Sequence, residues 1–333
     1  MNLLPSADQE QILDTIRAFL GGEAPVDRLR RHGAIGNPDA GLWSALGELG
    51  LLGLSLPEEA GGIGLGAAEE FLFFRELGRH LVSPAILGLT LGARLAAAAG
   101  NAALRDAILL GQVRIGLGNR RGAVGEYHLF DAAEAPWILV VDDTGVGLYA
   151  REQFATIEPV QAMDAAITLE RARLEQEVPR FWLAATDEAL PLRALLLLSA
   201  YSVGLGEGAR DMAVGYAQIR EQFGKPIGSF QAIKHICADM AIRSEAANCQ
   251  ASLAALVFDE GRADREFHVI ASKLVAAEAA LKNAAANIQV HGAFGFTAEA
   301  DAHHYLKRAH LVDLLWGNTP GHRSRLLALP PAA

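Results

Sequence analysis

The feature that most constrains the fold is a helical period that begins near Leu190 and continues almost to the carboxyl end. Apolar residues recur there at spacings of three and four, and they form two stripes, each of which defines one face of a long helix. The first stripe is Leu198, Tyr201, Leu205, Met212, Tyr216 and Ile219, and the second is Phe267, Ile270, Leu274, Ala277, Leu281, Ala284 and Ile288. Helices of this length bury such stripes against one another, so the sequence predicts an antiparallel bundle.

A shorter region with a different texture precedes the bundle. The stretch "PWILVVDDTGVGLYARE" contains two β-forming runs joined by Asp143, Thr144 and Gly145, which is a hairpin pattern. The runs "ATIEPV" and "AAITLERARL" continue as short strands. Residues 113–188 are therefore predicted to form a small, reduced β domain.

The first part of the chain is helical again. Ser6 and Gln9 have the spacing of a capping box, and apolar residues follow at helical intervals. Further helical runs divided by Gly and Pro continue to about residue 112. The predicted fold is mostly α with a small β domain, in three domains: 1–112, 113–188 and 189–333.

Composition narrows the class of protein. Apolar residues make up 51% of the 333 residues and aromatic residues only 7%, a profile typical of closely packed helices. The formal net charge of -10 argues against a nucleic-acid surface. Cys237 and Cys249 match no zinc or redox spacing, and the sequence shows neither a secretory leader nor a membrane span. We expect a soluble cytoplasmic protein that binds neither nucleic acid nor membrane.

Several motifs have simpler interpretations than they first suggest. The glycine cluster Gly61 to Gly66 precedes a helix, but no parallel sheet pattern accompanies it, so we interpret it as a turn and not as a dinucleotide site. His304 and Asp301 form one pair at helical spacing without a second pair of ligands, so no metal site is predicted. A nucleophile elbow and a phosphate-binding loop are both absent.

Two stretches carry more chemistry than a connection needs. "REQFGKPIGSFQ" joins two long helices and places a guanidinium, an amide, two aromatic rings and glycines in one corner. "NIQVHGAFGF" ends a helix with an amide and two glycines that allow a flat ligand to approach the backbone. Residue types alone leave a capped connection and a cofactor site equally open. Both corners could hold an anionic, aromatic cofactor.

Together these stretches resemble the acyl-CoA dehydrogenase family, and the resemblance covers almost the whole chain. It includes "LWSALGELGLLGLSLPEEAGGIGLG", "ELGRHL" and "ASKLVAAEAA" in the family's order. It implies the family's fold: a helical domain, a β domain and a carboxyl-terminal four-helix bundle. The family reaction removes the α-proton of an acyl-CoA with a carboxylate while the β-hydrogen leaves as hydride to FAD.

The resemblance also implies an FAD site that is shared between subunits. Its residues, which hold the FAD of a neighbouring chain, are Arg220, Gln222, Phe223, Ile227, Phe230, Gln289, Val290, Gly292 and Ala293. Ala293 stands where the family usually has a second glycine.

The positions of the family's catalytic base depart from this pattern. Counting from Gln289, the usual glutamate falls on Trp316, and the alternative base falls on Ala194. The neighbouring arginine that seats the CoA ester corresponds to Leu195, and Arg193 is the residue that could substitute for it. Neither an indole nor a methyl group accepts a proton, so we predict no catalytic residue in this chain.

The β region departs further from the family's motifs than the bundle does. The flavin-cradling motif is unrecognisable in "RIGLGNRRGAVGEYHLFD", so the chain lacks parts of its own site but keeps what it lends to a neighbour. This pattern resembles the smaller subunits of heterotetrameric acyl-CoA dehydrogenases, which act in lipid metabolism on steroid side-chain CoA esters. The implied partners are a catalytic dehydrogenase subunit or a second copy, an acyl-CoA, and an electron-transfer flavoprotein as a candidate acceptor.

Two other hypotheses stay open at this point. The chain could be a self-sufficient dehydrogenase with a relocated base, for which Glu207 and Asp313 are the candidates. It could also be a scaffold subunit that has kept the fold and lost the flavin.

Overall fold

The computed structural model describes residues 3–32, 39, 41–122, 125–186 and 189–330. Along the chain, helices come first, strands follow from residue 115 to residue 184, and helices return. This order confirms the predicted fold class. Backbone contacts divide the chain into two compact units, one within Met1–Gly33, Phe71–Val82 and Leu196–Ala333, the other within Ala34–Glu70 and Ser83–Leu195. The three predicted domain ranges stay a prediction.

The elements have the following bounds. The helices are α1 Ala7–Glu23, α2 Arg28–His32, α3 Leu42–Glu48, α4 Ala67–Arg79, α5 Ile86–Ala98, α6 Ala102–Leu109, α7 Leu190–Ile219, α8 Gln231–Asp259, α9 Arg265–His291, α10 Ala302–Asp313 and α11 Thr319–Ala328. The strands are β1 Ile115–Arg120, β2 Glu126–Phe130, β3 Trp137–Asp142, β4 Gly145–Ala150, β5 Phe154–Val160, β6 Leu169–Leu174, β7 Phe181–Ala184, β8 Glu221–Gln222 and β9 Lys225–Pro226.

Helix α1 begins where its sequence predicts. The Ser6 hydroxyl accepts a hydrogen bond from the Gln9 amide at 3.2 Å, and the Ser6 amide donates to the Gln9 side chain at 2.9 Å. This is the reciprocal capping box, which satisfies two amides that a helix start leaves without intrahelical partners.

Seven strands form one sheet in the order β5-β6-β2-β1-β3-β4-β7. The predicted hairpin is confirmed, since β3 and β4 pair antiparallel with Asp142 opposite Gly145. Strands β1 and β3 are parallel, whereas the sequence pattern predicts only a hairpin and further short strands. One face carries a buried cluster that includes Tyr127, Leu129 and Ile138, and the sheet also packs against α5.

The glycine cluster Gly61 to Gly66 is a connection, as predicted. It joins a short 3-10 helix, Glu58–Ala60, to α4. Gly62 lies so close to the Leu56 carbonyl that a Cβ atom would stand 2.0 Å from its oxygen. Close backbone packing therefore accounts for this glycine.

In the other unit, side chains of α2 and α10 donate hydrogen bonds to carbonyls at the carboxyl end of α4 and in the turn that follows it. Arg308 is 1% exposed and donates to the Leu81 oxygen at 2.8 Å and the Val82 oxygen at 2.9 Å. The Tyr305 hydroxyl donates to the Arg79 oxygen at 2.7 Å, and Arg28 donates to the His80 oxygen at the same distance. Tyr305 thus satisfies a carbonyl that the helix end leaves without an amide partner, and Arg28 and Arg308 satisfy carbonyls of the turn beyond it.

The long helices form the predicted bundle. Helix α9 packs against α8, α10 and α11. The buried Asn283 side chain of α9 links it to two neighbours, since its amide nitrogen donates to the Gly206 oxygen of α7 at 3.1 Å and to the Met240 oxygen of α8 at 3.0 Å. Ile219, the last member of the first predicted stripe, is 78% exposed instead. The buried face of α7 therefore ends at Ala217, two residues before the helix ends.

Candidate functional site

The stretch after α7 folds into a very short hairpin. Strands β8 and β9 pair antiparallel, and the Ile227 amide donates to the Arg220 oxygen at 2.7 Å. Phe223 and Gly224 form the turn with φ angles of +53° and +75°. Two positive φ angles are typical of a tight hairpin turn, but a bulky aromatic residue adopts this conformation rarely. The Phe223 side chain is nevertheless 91% exposed.

Aromatic and close backbone contacts hold this hairpin. The rings of Phe223 and Phe230 meet edge to face with centroids 6.1 Å apart, and Lys225 Nζ lies 4.5 Å from the centre of the Phe230 ring. A Cβ atom on Gly228 would stand 2.9 Å from the Ala217 oxygen, so glycine lets the hairpin lie close against the end of α7. The hairpin is a packed structure with an exposed aromatic tip.

The second predicted stretch ends α9. Gly292 has φ +62° and terminates the helix, and a 3-10 helix, Gly292–Phe296, follows. Gln289, Gly292 and Ala293 are exposed. Val290 is only 4% exposed, so its side chain packs inside the bundle and does not reach the surface.

The structure brings the two stretches together. Val290 belongs to a buried cluster with Ala213, Ala217 and Met240, and Ile227 packs against the same cluster. We call the hairpin, Arg220 to Phe230, together with the segment Gln289 to Phe296 the exposed corner. Among its predicted residues, Ile227 and Val290 face the cluster, whereas Arg220, Gln222, Phe223, Gln289, Gly292 and Ala293 are exposed.

Three aromatic residues of this region were not predicted as site residues. The Tyr216 ring stacks on the His291 imidazole with centroids 4.0 Å apart and an interplanar angle of 23°. Its centroid is 6.3 Å from that of Phe294, at an angle of 13°. His291 and Phe294 stand inside the quoted motif, and Tyr216 is one helical turn before Arg220. That spacing is the sequence signal that could have identified Tyr216.

The chemistry of the exposed corner fits FAD. A guanidinium and amide groups suit phosphate oxygens, and exposed aromatic faces suit flat rings. A bulky residue held in a strained conformation at an exposed tip is typical of a functional site.

Neither predicted base position carries a carboxylate. Trp316 follows α10 with φ +55°, and Gly317 follows with φ +118°. The imidazole of buried His322 fills the space beside Gly317, where a Cβ atom would stand 2.7 Å from Nε2. Ala194 is fully buried and Leu195 is 4% exposed.

The two candidates for a relocated base are both engaged in ion pairs. Glu207 is 4% exposed, and its Oε2 accepts from Arg75 Nε at 2.8 Å and from Arg79 Nη1 at 2.9 Å. Asp313 Oδ1 accepts from the Thr319 hydroxyl at 3.0 Å and lies 3.8 Å from Lys273 Nζ. Each carboxylate therefore has a structural role.

Arg193, which could substitute for the arginine that seats CoA, lies inside a polar network. It is 9% exposed, pairs with Glu70 and donates to the Ser55 hydroxyl at 3.1 Å. Arg94 donates to the same hydroxyl at 2.6 Å. These contacts occupy Arg193 within its own unit and compete with a role in substrate binding.

The described ranges contain neither a cluster of metal ligands nor a membrane-spanning helix. Within them, no three His, Cys, Asp or Glu side chains gather in a way that could hold a metal ion. None of the helices in that part of the chain combines the length and the apolar character that crossing a membrane requires.

Two family models match the chain. Residues 6–114 match the acyl-CoA dehydrogenase amino-terminal domain, and residues 192–328 match the acyl-CoA dehydrogenase carboxyl-terminal domain. Acyl-CoA dehydrogenase IpdE2 of Mycobacterium tuberculosis is 33% identical over 310 residues, which is 92% of each protein.

Two solved structures share the fold. The ChsE4-ChsE5 complex from Mycobacterium tuberculosis contains a chain with a TM-score of 0.83 and 23% identity, covering 100% of both chains. A structure described as the Tcur3481-Tcur3483 steroid ACAD G363A variant gives a TM-score of 0.80 at 24% identity, covering 96% of each chain.

Proposed function

The chain belongs to the acyl-CoA dehydrogenase family, and from that premise we propose that it is a subunit that completes the FAD site of a partner dehydrogenase. In this proposal the partner supplies the carboxylate that removes the α-proton of an acyl-CoA. FAD, when bound, accepts the β-hydrogen as hydride. This chain contributes the exposed corner: Arg220 and the exposed amides for the cofactor's phosphates, and Phe223 for its rings.

The observation that carries the proposal is the state of Phe223. The residue is 91% exposed and has φ +53°, so the fold maintains an unfavourable backbone conformation and exposes a large ring to water. Such a conformation costs on the order of 1–2 kcal/mol for an L-residue other than glycine. A partner surface or a cofactor that covers the Phe223 ring would explain why the fold keeps this residue exposed and strained.

The base positions support a non-catalytic role. Trp316 and Ala194 offer no proton acceptor, and Glu207 and Asp313 are held by cationic partners. Proton removal in the complex therefore falls to the partner. The part left to this chain is to bind and orient the cofactor.

The names of similar structures favour a complex of two different chains. The ChsE4-ChsE5 structure is a complex, and the Tcur3481-Tcur3483 protein is described as a steroid dehydrogenase. By analogy we propose a heterotetramer that acts on a bulky, steroid-derived CoA ester. Electrons would pass onward to an electron-transfer flavoprotein.

Co-purification tests the proposal. The complex of this chain with a dehydrogenase that carries a base should be yellow and should oxidise an acyl-CoA, whereas this chain alone should do neither. Arg220→Met and Phe223→Ala in this chain should each reduce FAD retention by the complex. Arg31→Met, at an exposed arginine on α2, should leave FAD retention unchanged.

Two results would contradict the proposal in different ways. Oxidation of an acyl-CoA by this chain alone, abolished by Glu207→Gln or Asp313→Asn, would establish a relocated base. A stable but colourless complex would establish a scaffold without flavin.

A further inference from the structure

His291 has a defined orientation within the exposed corner. Its imidazole lies flat on the Tyr216 ring, with centroids 4.0 Å apart. Its Nδ1 is 2.8 Å from the Asn287 carbonyl oxygen, one helical turn earlier. A stacked face and a hydrogen-bonded edge together fix both the plane and the rotation of the ring.

The hydrogen bond determines which nitrogen carries the proton. A carbonyl oxygen only accepts hydrogen bonds, so Nδ1 must donate. In the neutral ring Nε2 then holds a lone pair and acts as an acceptor. Nε2 has no hydrogen-bond partner among the residues that the structure describes, and the side chain is only half-buried.

The surroundings keep the imidazole neutral. Burial lowers the pKa of His291 below its ordinary value of 6.5, and the Asn287 carbonyl opposes this effect only in part. The groups recorded against the ring are the Tyr216 phenol of α7 and that carbonyl of α9 itself, and within the described residues no charged side chain contributes. At neutral pH the ring therefore presents an uncharged acceptor.

We propose that His291 Nε2 is an additional contact to the FAD that this chain lends to its partner, and that it accepts a hydrogen bond from a hydroxyl or amino group of the cofactor. The inference rests on the proposed function and assigns a specific atom to it. Phosphate oxygens are excluded as this partner because they accept hydrogen bonds, as the neutral Nε2 does. The ribityl and ribose hydroxyls and the adenine amino group are the donors that FAD offers.

The assignment predicts how FAD affinity responds to pH. Protonation converts Nε2 from an acceptor into a donor, so the contact is present when the ring is neutral. The affinity should be highest above pH 6.5 and should fall as the pH decreases through the lowered pKa of His291. An imidazolium that bound phosphate would give the opposite trend.

The test measures the dissociation constant of FAD from the complex between pH 5 and pH 8, by flavin fluorescence. His291→Phe keeps a ring on Tyr216 and removes both nitrogens. It should weaken binding by about 3- to 10-fold at pH 7.5, the value of one hydrogen bond, and should remove the pH dependence that the wild type shows. His291→Gln restores a neutral acceptor that does not titrate, so it should recover affinity with a flat profile.

His32→Phe, at an exposed histidine on α2, is the matched control and should keep the wild-type profile. Equal profiles for the wild type and His291→Phe would overturn the assignment, and so would tighter wild-type binding at low pH. Either result leaves the proposed function intact provided that the complex holds FAD. A complex that holds no FAD at any pH contradicts the proposed function itself.

Discussion

Lys273 is a charged residue inside the bundle. It is 1% exposed, and its Nζ lies 3.3 Å from the Val312 oxygen and 3.5 Å from the Asp313 oxygen, at the end of α10. The carboxyl end of a helix carries partial negative charge, which favours a cation there. Burial is nevertheless the larger effect and lowers the pKa of Lys273 from 10.5 to about 8, while Asp313 opposes the shift.

This shift predicts a dependence of stability on pH. Between pH 8 and 10.5 the unfolded lysine is protonated and the folded one is increasingly neutral, so the unfolded state binds more protons. The contribution of Lys273 to the free energy of unfolding therefore rises with pH across this window, by on the order of 3 kcal/mol in total. Below pH 8 both states are protonated, and the contribution is constant.

Chemical denaturation of the wild type and Lys273→Met across this window would measure the contribution. The difference between the two proteins isolates Lys273 from other groups that titrate there, and it should change with pH. Lys282→Met, at an exposed lysine of the same helix, serves as the control. A difference that stays constant from pH 7.5 to 10.5 would contradict the prediction.

The candidate site residues could be named from sequence, but their conformations could not. Family resemblance identified Arg220, Phe223 and Gln289, since motifs preserve residue types. The positive φ of Phe223 was not foreseen, because aromatic residues rarely adopt it and the sequence shows only a preceding glutamine and a following glycine. The ion pair of Glu207 was also hidden, because Arg75 stands more than a hundred residues away in sequence.

Helices α4 and α7 cross at an unusually close contact between Gly78 and Gly204. A Cβ atom on Gly78 would stand 2.0 Å from the Tyr201 oxygen, and one on Gly204 would stand 1.8 Å from the Arg75 oxygen. These obstacles are backbone atoms, which a side-chain rotation cannot move. The two helices can approach this closely only because both positions lack a side chain.

Gly204→Ala should therefore destabilise the protein by about 3 kcal/mol or more, as overpacking against rigid backbone does. Gly215→Ala is a control on the same helix, because its added methyl group meets no atom within 4 Å beyond its chain neighbours and the adjacent backbone of its own helix. That variant should be neutral or more stable by up to about 1 kcal/mol, since alanine favours helix. Thermal unfolding of both variants checks the contrast, and equal melting temperatures would contradict it.

Asn283 holds α9 in register with its neighbours. Its amide nitrogen donates to the Ser244 hydroxyl at 2.9 Å as well as to the two carbonyls of α7 and α8, and its oxygen accepts from Arg243 Nε at 2.8 Å. The residue is fully buried. Such a satisfied network specifies one arrangement of three helices.

Asn283→Leu preserves volume and removes every one of these bonds. We expect a loss of about 2 kcal/mol in the free energy of unfolding, because Arg243 and Ser244 lose partners in a partly desolvated place. Lys282→Leu, at the neighbouring exposed position, should change stability by less than about 0.5 kcal/mol. Denaturant titration separates the two. A change below 0.5 kcal/mol for Asn283→Leu would show that the network contributes little.

Elements with strong local signals were predictable from sequence. The capping box of α1 and the β3–β4 hairpin follow from residues within a few positions of each other. Strand β1 was harder to recognise, because Gly116 and Gly118 take the place of apolar residues along one face. A Cβ atom at Gly118 would stand 2.8 Å from Val140, so the partner strand supplies the side chain that fills this face. The sequence around Gly118 does not show that a side chain of another strand fills this space.

For the whole molecule, the proposal that this chain completes the FAD site of a partner predicts the number of FAD molecules per complex. A complex with equal numbers of both chains should hold one FAD for every two chains, because this chain completes a site and does not form a second one. Flavin absorbance against protein concentration, together with native mass spectrometry, measures the ratio. One FAD per chain would show that this subunit also binds its own cofactor.

The overall architecture was predictable because it depends on periodicity, which is redundant along the chain. Six or seven apolar positions define the stripe of each long helix, so the exposure of Ile219 changes nothing in the fold. The proposed division of roles between this chain and a partner depends on single residues such as Trp316. Counting positions along the family pattern identifies these residues, and experiments on the complex with the proposed partner test their function.

The rings of Phe223 and Phe296 are 91% and 72% exposed, and this exposure affects the stability of the chain in the cell. A copy made without the proposed partner would leave these apolar rings exposed, and exposed apolar surface favours self-association and recognition by chaperones and proteases. We therefore expect its abundance to follow that of its partner, with balanced synthesis of the two chains acting as a form of quality control.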